Sequence, residues 1–250
     1  MILDVQKIQF NYPARPVLDD INFYIHPGEL VAVLGTNGTG KTTLLKCINR
    51  ILEPIAGTVF LDKEPISSLT NNALAQRLGY VEQQRSGSRT TVFNAVLLGR
   101  KPYIQWDVTK ADMEIASNAM DRLGLSEYAL RYLDELSGGE LQKVVIARAL
   151  AQEPDVLLMD EPTSSLDLKN QLEVLDIIRE ITKGQEISVL VTMHDINLAL
   201  RYADRFILLK DKHVFAAGGQ EIITEENIEA VYSVPVKLST YNGYRFVVPL

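Results

Sequence analysis

The sequence predicts an α/β fold with a helical lobe inserted into it. Three observations lead there. First, short continuous apolar runs at Leu30–Leu34 (LVAVL) and 156–159 (VLLM) have the length and make-up of buried strands, and 188–191 (SVLV) reads as a further strand. Second, a glycine-rich loop follows the first run, and after it Leu44, Leu45, Ile48, Ile51 and Leu52 recur at helical spacing. Third, from about residue 85 to 150 the pattern turns helical, and the α/β alternation then resumes.

The elements can be justified in order. Residues 4–10 and 21–25 alternate apolar and polar, as half-buried strands do, and HPGE at 26–29 is a turn. Residues 57–62 and 78–81 read as further short strands. In the helical stretch, 112–123 places Met113, Ala116, Ala119, Met120 and Leu123 on one face, which is expected to be buried. A helix is expected at about 169–182. Residues 206–209 and 214–216 form a hairpin turning at 211–213. A short helix at about 224–231 and a hairpin around Asn242-Gly243 close the chain. The expected organisation is one domain over 1–250, with a helical subdomain at about 85–150 and a short C-terminal extension at about 219–250.

Composition narrows the class. With 250 residues, 46% hydrophobic and 23% charged, the chain can bury one sizeable core. A net charge of −7 argues against a free-standing nucleic-acid binder. The single cysteine, Cys47, rules out an intrachain disulfide and suits a reducing cytosol; it reads as a small apolar residue on the helix after the glycine loop. The first residues lack a basic start followed by a long apolar core, so no signal peptide is expected. No apolar run approaches the roughly 20 residues that span a bilayer, so a membrane role has to come through a partner.

Gly35, Thr36, Asn37, Gly38, Thr39, Gly40, Lys41 and Thr42 match the P-loop pattern GxxxxGK[ST] in full, with a strand before and a helix after. Glycines let successive backbone N–H groups turn inward around phosphate oxygens. Lys41 is placed to reach β- and γ-phosphates, and the Thr42 hydroxyl to ligate Mg²⁺. At the end of the second apolar run, Asp160 is a candidate for holding that metal through water. Glu161, one residue on, is the candidate for polarising an attacking water. A second glycine pair lies in LSGGE at 136–140, ahead of an apolar-periodic run, where a helix N-terminus able to hold an anion is expected.

LSGGE followed by Gln142, then VLLMDEPTSSLD, then a strand running to His194, resembles the ATP-binding-cassette (ABC) ATPase family over essentially the whole chain. The resemblance implies a P-loop NTPase core with an N-terminal antiparallel β-subdomain and an inserted α-helical subdomain. It implies ATP hydrolysis, with ATP and Mg²⁺ as cofactors and Thr43 continuing the cradle. It further implies an ATP-dependent head-to-tail homodimer, in which Ser137, Gly138 and Gly139 of one subunit meet the γ-phosphate held by the other. Tyr12 takes the position of an aromatic that stacks on adenine, Asp167 that of the D-loop residue aligning the cassettes, and His194 that of the switch histidine on the γ-phosphate. Gln83 takes by register the Q-loop position at Mg²⁺ or the water. Glu82 stands where the family commonly has Pro, which keeps Gln84 as the alternative amide. His26 and His213 are expected in solvent-exposed turns.

Residues 91–103, with ELSGGELQKVVIARALAQEP and HDINLALRYADR, look like the importer cassettes for iron–siderophore, haem, vitamin B12 and related chelates or oxyanions. That implies an integral membrane permease as partner, a substrate-binding protein acting indirectly, and a place on the cytoplasmic face of the membrane. Against a DNA-repair or translation ATPase stands the absence of a long coiled coil or second cassette. An export cassette and a non-transport ABC ATPase remain the alternatives.

Overall fold

A six-stranded sheet with five parallel strands organises the chain, in a computed structural model that describes residues 1–13, 15–82, 89–185 and 187–250. The chain opens with β1 (Leu3–Tyr12) and β2 (Arg15–Ile25), then β3 (Leu30–Leu34), α1 (Lys41–Ile48), β4 (Ala56–Leu61) and β5 (Glu64–Pro65). Next come α2 (Asn71–Arg77), β6 (Leu78–Val81), α3 (Val92–Leu97), α4 (Lys110–Arg122) and α5 (Gly138–Leu150). The α/β alternation returns with β7 (Val156–Asp160), α6 (Leu168–Gln185), β8 (Ser188–Thr192) and α7 (Ile196–Tyr202). The hairpin β9 (Arg205–Lys210) and β10 (His213–Gly218) precedes α8 (Glu225–Tyr232) and a last hairpin, β11 (Val236–Tyr241) and β12 (Tyr244–Pro249).

The large sheet runs β10-β9-β3-β8-β7-β6, with only β10 antiparallel to its neighbour. The small antiparallel sheet runs β2-β1-β4-β5. Apolar runs at the centre of the large sheet feed two cores because successive side chains point to opposite faces. Leu30, Ala32 and Leu34 pack on the helical side with Leu157, Met159, Val189 and Val191. Val31 and Val33 pack with Val156, Leu158 and Leu190 against α1 and the small sheet. This is why these strands read as unbroken apolar runs.

In the inserted lobe, Ala116, Ala119, Met120 and Leu123 are buried as expected. Met113 is not: it is 45% exposed, because it lies at the edge of the packing face of α4, whose place in that first turn is taken by the buried Asp112. Helix α1 likewise stops at Ile48, so Ile51 lies beyond it and is exposed. Cys47 is fully buried, and burial pushes its thiol up to about 12. His26 and His213 are both exposed.

Candidate functional site

The P-loop leaves β3 at Gly35 and re-enters regular structure at Lys41. Gly40, at the start of α1, has φ 101°, and a Cβ there would lie 2.9 Å from both Leu18 Cδ2 and Val17 Cγ1. Only glycine satisfies both the left-handed backbone and the close approach of β2. Thr39 Oγ1 donates to the Thr36 carbonyl at 2.9 Å and tightens the turn. No residue in the first turn of α1 is acidic, and the positive end of the helix faces the pocket.

Lys41 is 5% exposed, and its Nζ donates to the carbonyls of Gly35 (2.8 Å) and Thr36 (3.3 Å). Burial lowers its pKa from the ordinary lysine value, while the carboxylates of Glu161 and Asp160 pull the other way. Asp160 is 2% exposed, and its Oδ1 accepts from Thr42 Oγ1 (3.1 Å) and from Thr192 Oγ1 (2.8 Å). Thr192 lies directly across the β7–β8 ladder from Asp160. The same hydroxyl oxygen accepts the N–H of Glu161 at 2.8 Å.

Glu161 has φ 49°, a left-handed conformation that costs a non-glycine residue free energy and is common at functional positions. The bend turns its carboxylate toward His194, whose Nε2 pairs with Glu161 Oε1. Tyr12 is 43% exposed, with its ring edge-on to Phe10 at 5.0 Å between centroids. It borders an open pocket of about 230 Å³, also lined by Arg15, Val17, Asn37, Gly38, Gly40, Lys41, Thr42, Thr43 and Glu161. The structure therefore brings together the glycine loop, the acidic pair, His194 and Tyr12. Gln83 and its alternative Gln84 lie outside the described residues.

Ser137, Gly138, Gly139 and Asp167 are not among the residues lining that pocket. Ser137 caps α5 in a reciprocal box: its Oγ accepts from the Glu140 N–H and its own N–H donates to Glu140 Oε2 at 2.8 Å. These bonds to Ser137 hold the Glu140 carboxyl below its usual value. Ser137 and Gly138 are exposed, whereas Gly139 is buried against Asn170; a Cβ on Gly139 would sit 2.3 Å from Asn170 Oδ1. Asp167 Oδ1 accepts both the N–H and the Nδ2 of Asn170 at 2.9 Å. One asparagine thus joins Asp167 to the glycine pair.

Four contributors escaped the sequence reading. Thr192 has no signal beyond its place across the ladder from Asp160. Arg15, whose Nη2 donates to the Gly38 carbonyl at 3.5 Å, sits in an ordinary strand. Asn170 has a faint signal, three residues after Asp167 at a helix start. Arg100 is buried and pairs with Asp112 (3.1 Å) and Glu153 (2.7 Å) while donating to the Ala151 carbonyl. That turns much of 91–103 into the internal brace of the lobe.

The ABC transporter family model matches residues 18–164. An uncharacterized ABC transporter ATP-binding protein of Methanocaldococcus jannaschii is 55% identical over all of this chain and 98% of its own length. A petrobactin import ATP-binding protein of Bacillus anthracis is 34% identical, over 95% of this chain and 89% of its own. Among solved structures, a chain from a transporter described as metal-chelate type, caught inward-facing, superposes with a TM-score of 0.87 at 33% identity. That match covers 100% of this chain and 97% of the other. A dimeric ATP-binding cassette bound to ADP and Pi superposes at 0.75 and 28% identity, covering 87% of this chain and 98% of the other.

Proposed function

Because this chain belongs to the ABC transporter family, as one of its ATP-hydrolysing cassettes, we propose that it works as a homodimer on a membrane permease and drives import of a metal chelate or related oxyanion. The observation that carries the homodimer is the separation of Ser137, Gly138 and Gly139 from the pocket around Lys41. An exposed helix start with a glycine pair is a phosphate-binding element, and a second copy can bring it to the γ-phosphate of ATP. ATP then makes contacts in the closed pair that it lacks in one subunit, so binding favours closure and hydrolysis releases it. The dimeric cassette holding ADP and Pi supports this reading.

Within the site, Tyr12 stacks on the base, while the loop amides from Thr36 to Thr43 and the Lys41 ammonium hold the phosphates. The donor set fits Mg²⁺: a buried carboxylate and a hydroxyl, both hard oxygen ligands, meet at Asp160 and Thr42. Those two residues, with Gln83, would hold the ion, which when bound supplies charge neutralisation at the phosphates. Glu161 takes the proton of the attacking water, and His194 fixes Glu161 and reaches the γ-phosphate.

No described helix is long and apolar enough to cross a membrane, which leaves attachment at the cytoplasmic face to the permease. A surface hollow of about 390 Å³, lined in part by Tyr80, Leu98, Arg148 and Gln152, lies between the α/β core and the helical lobe and suits a permease segment. Import of a chelate is supported by the petrobactin and metal-chelate relatives. A substrate-binding protein would act through the permease.

Mixing subunits tests the composite site. Lys41→Ala disables the P-loop half and Gly138→Asp the glycine-pair half. A mixture of the two variants keeps one intact site per heterodimer and is expected to dimerise with ATP, although neither variant alone does. No ATP-driven dimer in the mixture, with both variants folded, sinks the trans arrangement. Uptake assays in vesicles that carry this chain assembled with a permease test the cargo class, and a chelate that fails to enter removes it.

A further inference from the structure

Tyr232 is the last residue of α8, in the C-terminal extension, and its hydroxyl accepts the backbone N–H of Gly35 at 3.1 Å. Gly35 is a demanding place for such a contact. The β3–β9 ladder ends at Leu34 and Leu208, one residue earlier. A Cβ on Gly35 would lie 2.6 Å from the Leu209 carbonyl oxygen, so the backbone is pressed against β9 on one side. The carbonyl of the same residue accepts Lys41 Nζ. Gly35 therefore links the phenol of Tyr232 to the ammonium of Lys41 through one residue of backbone. Burial pushes the phenol up to about 12, which keeps it neutral at working pH.

The extension is also anchored beside the other nucleotide motif. Asn197, three residues after His194, donates its Nδ2 to the Val247 carbonyl (3.2 Å) and accepts the Val247 N–H (2.7 Å). A side-chain amide thus pairs with β12 as a strand would. Arg245 donates to the carbonyls of Gln220 and Ile223, and Glu225 accepts the Leu238 N–H, so hydrogen bonds tie the last hairpin to α8 and the turn before it.

We propose that Tyr232 is a positioning residue for the nucleotide site: its hydroxyl sets the Gly35 peptide, and through it the carbonyls that orient Lys41. This rests on the reading of the P-loop as the ATP site. The phenol touches no reacting atom, so the effect falls on nucleotide affinity and leaves the chemical step alone.

The test uses the full chain with Tyr232→Phe, which removes only the hydroxyl, and Tyr232→Leu, which also removes the ring packing. Mg-ATP binding by the wild type, and its loss in Lys41→Ala, checks the site reading separately. In Tyr232→Phe the Kd and KM for ATP are expected to rise about fivefold, with kcat within about twofold and the melting temperature nearly unchanged. Without nucleotide, exchange of the Gly35 amide is expected to speed up about tenfold, a readout independent of ATP. Tyr232→Leu is expected to show the same affinity loss plus a clear drop in melting temperature. Unchanged Kd and KM in the phenylalanine variant overturn the proposal, whatever the leucine variant does; so does a fall in kcat at unchanged Kd.

Discussion

Thr42 and Asp160 stand 118 residues apart in the chain and share a hydrogen bond of 3.1 Å between Oγ1 and Oδ1. One comes from the start of α1 and the other from the end of β7. They meet because β3 and β7, on either side of β8 in the parallel sheet, deliver their carboxyl ends to the same edge, where doubly wound folds place ligands.

Replacing Asp160 with Asn keeps the shape and removes the charge that suits a divalent cation. ATP hydrolysis at saturating Mg²⁺ is expected to fall at least about 100-fold. Chelating the metal with EDTA is expected to do the same to the wild type. Hydrolysis that persists in EDTA excludes a metal role for this pair.

Glu161→Gln keeps the size and polarity of the side chain but leaves no base. Hydrolysis is expected to drop about 100- to 10,000-fold while Mg-ATP still binds. Product no longer forms to open the pair, so the variant is expected to elute as a dimer with ATP on gel filtration. Turnover at the wild-type rate removes Glu161 as the base.

Arg100 and Asp112 have side chains only 6% and 8% exposed. Arg100→Ala strands the buried carboxylate and uncovers the Ala151 carbonyl, at a cost of about 3 kcal/mol in unfolding free energy. Arg100→Lys is expected to recover little, because an ammonium lacks the planar fork that serves three acceptors at once. Urea titration with limited proteolysis of the lobe measures both; full rescue by lysine contradicts the geometric account.

Asp204 gives a pH signature. Burial alone raises a carboxyl pKa, but the Leu30 N–H, Arg179 and Lys183 all favour the charged form and leave it lowered from 3.8. A lowered carboxyl contributes stability that is complete above about 3.8 and fades as pH falls through the folded value. Asp204→Asn is expected to cost about 2 kcal/mol, equally at pH 7 and pH 5. Below pH 4 the difference from wild type is expected to shrink. A gap that closes already between pH 7 and 5 assigns it to another group.

Local pattern made much of this legible. The runs LVAVL and VLLM declare doubly buried strands, and the glycine loop between strand and helix declares a phosphate cradle. The unread contacts share a different origin. Tyr232 with Gly35, Asn197 with Val247 and Asn170 against Gly139 are single long or short polar side chains that tertiary packing brings to a backbone or a glycine. Apart from the place of Asn170 three residues after Asp167, nothing in their immediate neighbours announces it. Met113 fails for a related reason: apolar periodicity puts Met113 on the buried stripe, whereas the packed face takes in Asp112, a carboxylate whose partner Arg100 comes from elsewhere in the chain.

The two-sided duty of β3 has a consequence for sequence length. Val31 and Val33 serve one core while Ala32 and Leu34 serve the other. Inserting one residue before them would exchange the two inventories and shift the glycine loop relative to Asp160 in the same stroke. Insertions and deletions in this protein should therefore accumulate at hairpin tips such as 211–212 and 242–243, while 30–42 keeps its length to the residue.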